Sequence, residues 1–196
     1  MLAATNNKHK LEEISAILKQ LDIQIMSLQE AGIDIEVEET GATFIDNSLI
    51  KAREVAKLVD MPVISDDSGL EVFALEGAPG VKSARYSGTE GDQKDQKNNE
   101  KLLKEMENVP LQERGARFCS VIAAVLKDGK NITAEGYVYG KIGYVEKGGH
   151  GFGYDPLFIV DGYNKTMAEL SNDEKNKISH RANALHSFAK QLKAKL

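Results

Sequence analysis

The run Met61-Pro62-Val63-Ile64-Ser65 constrains this chain more than any other segment: it is short and apolar, follows helix-like sequence, and leads straight into Asp66-Asp67-Ser68-Gly69. Such a run reads as a buried strand, which commits the chain to a sheet packed inside other elements. A strand that ends in carboxylates and a turn glycine delivers Asp66 and Asp67 to the rim of a sheet, where α/β proteins bind ligands and where oxygen ligands hold Mg²⁺. The same residues also read as an ordinary polar turn. Other segments have to decide between the two.

Residues 2–5 read as a first strand, and beyond Asn6-Asn7 the residues Leu11, Ile14, Ile17, Leu18 and Leu21 share one helical face. A second strand is expected over 23–28. Ile33, Ile35 and Val37 then alternate with Asp34, Glu36 and Glu38, the period of a half-buried strand with Glu38 on its polar side. Thr43 with Asp46 resembles a helix N-cap, and the helix continues to Val59. Residues 69–75 predict a further strand closed by the turn cluster 76–80, and the very polar stretch 92–108, with only Leu102, Leu103 and Met106 for packing, predicts a peripheral helix. Asp128-Gly129 between 117–126 and 131–139 predicts a β-hairpin. After a short strand at 157–160, Ser171 with Glu174 forms a capping box, and a last helix carries Leu185, Phe188, Ala189, Leu192 and Leu196 on one stripe. Crossover-linked and hairpin-linked strands mixed with helices predict an α/β fold with a mixed sheet, in a single domain spanning 1–196.

With 41% hydrophobic and 28% charged residues, the chain has no compositional sign of disorder. A net charge of −5 argues against general affinity for nucleic acid or an anionic membrane, so any phosphate site must be local. The single cysteine, Cys119, lies in the apolar run 118–126; it reads as core packing and excludes a disulfide framework. Lys8, His9 and Lys10 interrupt any signal-like start, and no stretch reaches membrane-spanning length. A cytoplasmic protein is expected.

Thr5, Asn7 and Lys10 lie where the first strand turns into the first helix, a junction that favours an anion, although Asn6-Asn7 also reads as a turn. Gly151-Phe152-Gly153-Tyr154-Asp155-Pro156 sets two aromatics and an acid among glycines that admit a flat ligand such as a purine; the other reading is a glycine-rich hairpin with its aromatics buried. Ser179-His180-Arg181, after Lys175 and Lys177, groups donors suited to a carbonyl oxygen or a phosphate, or else forms a solvated charged face.

In this order, Thr5-Asn6-Asn7-Lys8-His9-Lys10, Glu38-Glu39-Thr40-Gly41, Lys51-Ala52-Arg53, Asp66-Asp67-Ser68-Gly69, Gly77-Ala78-Pro79-Gly80, the 152–156 loop and Ser179-His180-Arg181 resemble the inosine triphosphate pyrophosphatase family over nearly the whole chain. The resemblance implies a central mixed, twisted sheet flanked by helices, with two lobes and a nucleotide cleft between them. It implies Mg²⁺-dependent hydrolysis of ITP, dITP and XTP to the monophosphate and pyrophosphate, removing deaminated purines from the nucleotide pool, by a homodimer that binds no nucleic acid or membrane. Carried over, Glu38 and Asp67 match the metal ligands, Asp67 also the residue that activates water, and Asp66 supports them. Thr5, Asn6, Asn7, Lys8, His9 and Lys10, with Lys51 and Lys175, match the phosphate-binding set, and Ser68 matches a substrate-binding residue. Phe152, Gly153, Tyr154 and Asp155 match the base pocket, and His180 and Arg181 match contacts to the base. Asn6, His9 and His150 stand where many relatives have glycine. A pyrophosphatase for modified pyrimidine nucleotides and a non-catalytic nucleotide-binding sensor are the competing readings.

Overall fold

In chain order the elements are β1 (Leu2–Ala3), α1 (Lys8–Lys19), β2 (Met26–Ser27), α2 (Phe44–Ala56), β3 (Val63–Val72), α3 (Lys94–Glu105), β4 (Gly115–Val125), β5 (Asn131–Ile142), β6 (Phe158–Val160), α4 (Asn172–Ile178) and α5 (His180–Lys193). The structure, a computed structural model, describes residues 1–194, so Leu196 of the predicted apolar stripe lies outside the described residues. The strands form a six-stranded sheet in the order β2-β1-β3-β4-β5-β6. β1 is parallel to β2 and to β3, whereas β5 and β6 are antiparallel, so the sheet is mixed as predicted. The short connection from β4 to its neighbour β5 turns at Gly129, whose φ of 77° is the left-handed conformation an Asp-Gly turn requires.

The chain divides into two compact units, the first made of Met1–Ser68, Ser120–Gly136 and the stretch from Ser179 onward, the second of Gly69–Cys119 and Tyr137–Ile178. In the first unit successive strand residues point to opposite faces. Ala3, Ile64, Ile122 and Ala124 pack with Ile14, Ile17 and Leu18 of α1 and Leu185 and Phe188 of α5. Leu2, Ala4 and Val63 pack instead with Ala52 and Val55 of α2. Each fully buried Leu, Ile or Phe here contributes about 1.5–3 kcal/mol. α5 lies so close to β5 that a Cβ on Gly136 would come within 2.2 Å of the His180 carbonyl and the Ala184 amide.

The second unit has its own core, in which Leu102 and Met106 of α3 join Leu70, Val72 and Phe118, and the Phe118 and Phe158 rings lie 4.6 Å apart. Arg114 is buried with no acid paired to it among the described residues: its guanidinium donates to the carbonyls of Met106 at 2.6 Å, Ile142 at 2.8 Å and Gly143 at 3.0 Å and lies 4.5 Å from the centre of the Tyr144 ring.

Several expectations change. The acids do not end a strand. β3 runs unbroken through Asp66, Asp67, Ser68 and Gly69, and Gly69 is required not for a turn but because a Cβ there would meet the Ser83 hydroxyl at 2.4 Å and the Gly80 carbonyl at 2.6 Å. Of residues 23–28 only Met26–Ser27 form a strand, and 33–38 alternate in exposure without joining a ladder. α3 is not merely peripheral, since Asn98 and Asn99 are as buried as Leu102. The predicted last helix is two helices: Ser171 and Glu174 cap α4 reciprocally as expected, and the Ser179 hydroxyl accepts from the Ala182 amide and starts α5 afresh.

Candidate active site

The acids of β3 gather the first unit's buried charges. Asp66, 1% exposed, accepts from Lys10 of α1 at 2.8 Å, from Arg181 of α5 at 3.3 Å, and from the hydroxyls of Ser120 at 2.5 Å and Ser68 at 3.1 Å. Burial by itself would raise its pKa. The charges of Arg181 and Lys10, with the hydrogen bonds from Lys10 and Ser120, overcome that and hold the carboxyl well below the ordinary range.

Asp67 points the other way and is treated differently. Its Oδ1 lies 3.4 Å from Lys51 of α2 and accepts the Ser68 amide at 3.1 Å, while its Oδ2 is buried with no hydrogen-bond partner among the described residues. Burial pushes this carboxyl up, aided by the nearby charges of Glu39 and Asp66 and opposed by Lys51 and Lys10. Two adjacent carboxyls are thus driven in opposite directions, the arrangement by which proteins separate a fixed charge from a proton acceptor.

Three cations surround them. The Lys51 ammonium is held by Glu39 at 2.5 Å, the Asp66 carbonyl at 2.9 Å and Asp67; burial lowers its pKa, but Asp67 and Glu39 more than offset this and raise it. Lys10 is shifted down, first by burial and then by Lys51 and Arg181, against the pull of Asp66. The buried Arg181 guanidinium bridges Glu13, Asp66 and the Ser68 hydroxyl, the last at 2.9 Å, and these acids raise its pKa against burial.

Around this cluster the other predicted residues fall unevenly. The Asn7 side chain accepts from the Lys10 amide at 3.1 Å and caps α1, and the Thr5 hydroxyl accepts the Asn7 amide at 3.1 Å, so this junction is a built helix N-terminus. Asn6, Lys8 and His9 are exposed; Asn6 donates to the Ile35 carbonyl at 3.0 Å and His9 stands 3.9 Å from Glu12. His180 is buried as the first residue of α5. Glu38 is not brought to Asp67. It is exposed, lining a surface hollow with Ile35, Ile50 and Glu54, because the alternation along 33–39 turns Glu39 inward and Glu38 out.

No group of three or more His, Cys, Asp or Glu side chains among the described residues could hold a metal by itself. Mg²⁺ needs less, since it keeps several waters and binds through one or two carboxylates plus substrate phosphates. Asp67, with its unpartnered buried oxygen, and Glu39, both already turned toward the Lys51 cation, fit that requirement.

The second unit carries the glycine-rich loop. Asp155 and Lys175 form a buried pair at 2.7 Å, and Asp155 also accepts the Phe152 amide at 3.1 Å. The Lys175 ammonium lies 5.1 Å from the centre of the Phe152 ring. A Cβ on Gly151 would meet Asp155 Oδ2 at 2.1 Å, so glycine there makes room for the pair. Lys175, expected to reach phosphate, is committed to Asp155 in this structure. Tyr154 is a core residue whose hydroxyl donates to the Ser83 carbonyl at 2.9 Å, with burial pushing its phenol upward; it does not lend a ring to the loop's surface. Gly153 is held through both its amide and its carbonyl, by Asp95 and Asn99.

Sequence reasoning missed Glu13, Glu39, Ser120, Asp95 and Asn99 as members of these networks. Glu13 had a signal, one helical turn beyond Lys10; Ser120, Asp95 and Asn99 are joined to their partners only by the folded chain.

The chain matches the model of the Ham1 family over residues 1–191. It is 53% identical to a Clostridium perfringens protein named dITP/XTP pyrophosphatase, with 98% of this chain and 96% of that protein covered. Its identity to a Bacillus subtilis protein of the same name is 48%, with 98% and 96% covered. The solved structure of the Staphylococcus aureus Ham1 protein matches with a TM-score of 0.86 at 41% identity, covering 100% of this chain and 98% of that one.

Proposed function

The chain belongs to the Ham1 family, and we propose that it hydrolyses ITP, dITP and XTP to the monophosphate and pyrophosphate with Mg²⁺. The observation that carries this reading is the contrast between Asp66, saturated with cations and hydroxyls, and Asp67, buried, pushed up in pKa and carrying an unpartnered oxygen. Asp67 accepts the proton of the water that attacks the α-phosphorus, a contribution of typically about 10²–10⁴-fold. Asp66 stays ionised and holds Lys10 and Arg181 in place. Lys10 and Lys51 supply local positive charge to a chain of net charge −5, and the capped N-terminus of α1 favours the anionic triphosphate. Bound by Asp67 with Glu39, Mg²⁺ would neutralise charge on the pyrophosphate leaving group.

Phe152 offers a face to the purine, backed by the Asp155–Lys175 pair. Donors at His180 and Arg181 suit a six-position carbonyl oxygen. Adenine would meet them with its own amino donor, leaving buried groups unpaired, a mismatch that discriminates more strongly than a difference in packing. The reading includes a homodimer working in the cytoplasm; no helix among the described residues is long and apolar enough to cross a membrane.

Pyrophosphate release from ITP, dITP and XTP in the presence of Mg²⁺, lowered about 10²–10⁴-fold by Asp67→Asn, tests the proposal. Tight binding without turnover under any divalent ion would instead make the protein a nucleotide sensor, and preference for modified pyrimidine triphosphates would move it to another substrate class.

A further inference from the structure

α3 was expected to be a polar, peripheral helix, yet one of its faces points into the second unit and carries side chains that hydrogen-bond rather than pack. Asp95 and Asn99 sit one helical turn apart and both reach Gly153: Asp95 Oδ2 accepts the Gly153 amide at 2.8 Å, and Asn99 Nδ2 donates to the Gly153 carbonyl at 3.1 Å. Gly153 has a φ of 61°, with nothing within 4 Å of where a Cβ would be, so its glycine serves the backbone conformation and not a close approach. Asn99 is 3% exposed, and once its amide is turned toward Gly153 its Oδ1 is left buried with no partner among the described residues. An apolar residue at that position would avoid the unsatisfied acceptor. The bond to Gly153 is what an asparagine offers there.

We infer that Asp95 and Asn99 are positioning residues for base selection, clamping the Gly153 peptide from both ends so that Phe152 and Asp155 on either side are presented to the purine in one fixed arrangement. This rests on the reading of the 152–155 loop as the base site. Neither side chain touches nucleotide; they act by removing freedom from the loop before the ligand arrives, which strengthens binding by lowering the cost of ordering. The effect belongs to the base and not to the phosphates, because the clamped residue adjoins Phe152 and neither bond involves Lys10 or Lys51.

The test compares Asp95→Ala, Asp95→Asn and Asn99→Ala in the full chain with Mg²⁺. It reads KM and kcat for ITP and ATP, and the inhibition constant of inorganic tripolyphosphate, which has no base. Losing one hydrogen bond from a charged acceptor should raise KM for ITP about tenfold with little change in kcat, and narrow the preference for ITP over ATP. Asp95→Asn keeps an acceptor oxygen and should recover most of the loss. Tripolyphosphate inhibition should stay within about twofold of the unmodified chain. Unchanged KM for ITP in Asp95→Ala, no rescue by Asp95→Asn, or weakening of tripolyphosphate in parallel with ITP would each overturn the inference. Should either alanine variant fail to fold, Asp95→Ser, compatible with the first turn of a helix, takes its place with the same expectations. If the unmodified chain binds ITP without turnover, the function proposal fails; calorimetric binding of ITP against tripolyphosphate still decides the role of Asp95.

Discussion

Asp66→Asn keeps the shape of a fully buried side chain and removes only its charge, so the structure makes a quantitative demand on it. At 2.8 Å, the Lys10–Asp66 attraction is about 6 kcal/mol at an effective dielectric near 20, before the cost of desolvating both ions is subtracted. Arg181 at 3.3 Å contributes slightly less, but it keeps Glu13 and Ser68 when Asp66 is neutralised, whereas Lys10 loses its salt-bridge acid. Stranding one member of a buried pair typically costs about 3–5 kcal/mol. Because the asparagine oxygen can still accept from Ser120, the lower end applies, about 3 kcal/mol, or a fall of roughly 1.5 M in the urea midpoint for a slope near 2 kcal/mol/M. The pH dependence supplies a second reading. Asp66 is held below its ordinary value in the folded chain, so its stabilisation is complete above the unfolded value near 4 and is lost as pH falls through the depressed folded one. The gap between unmodified and variant chains should therefore be flat from about pH 5 to 8 and close below about pH 4. A midpoint shift under about 0.5 M, or a gap that stays open in acid, would refute the reasoning.

Asp67→Asn should act in the opposite sense on stability, since a carboxyl raised in the folded state contributes stability below its unfolded value that is lost as pH rises through the folded one; at neutral pH the variant should be as stable as the parent or more so while turnover falls about 10²–10⁴-fold. Urea unfolding and pyrophosphate release measured on one preparation check both halves. In the metal-free chain the Asp67 carboxyl should titrate above the ordinary aspartate range, a transition read by carboxyl NMR and absent from Asp67→Asn; titration at about pH 4 or below would place the base elsewhere. Gly136→Ala should cost about 1–3 kcal/mol by prying α5 from β5, seen as a lower melting temperature.

Local signals in the sequence were legible wherever the chemistry is local. Thr43 and Ser171 cap the helices they were expected to cap, Asn7 caps α1 at a junction read only as a turn or an anion site, and Asp128-Gly129 turns the hairpin. Failures came where a distant partner overrides a local cue. Asp66 to Gly69 has the composition of a turn, but Ser83 and Gly80 approach the strand at Gly69, and Lys10, Lys51, Arg181 and Ser120 neutralise acids that would otherwise have to surface. Tyr154 looked available to a ligand because its neighbours are glycines, and the Ser83 carbonyl that satisfies its hydroxyl is invisible at that distance in sequence. Glu38 is the instructive case: the alternation along 33–38 already put it on the polar side, and its neighbour Glu39 is the one that meets Lys51.

The same alternation explains how one dipeptide yields two chemically different acids. On β3, Ile64, Asp66 and Ser68 face the layer of α1 and α5, where Ile64 packs with Ile14 and Phe188, and Asp66 meets Lys10 and Arg181. Val63, Ser65 and Asp67 face α2: Val63 packs with Ala52 and Val55, Ser65 donates to the Ser48 carbonyl at 2.6 Å, and Asp67 meets Lys51 one turn further along that helix. An acid pair on one face would share its cations and repel across a few ångströms. Placed back to back through the strand, each carboxyl takes its environment from a different helix layer, one crowded with donors and one with a single lysine already shared with Glu39. Inserting one residue before Asp66 would exchange the two layers, and with them the fixed charge and the base.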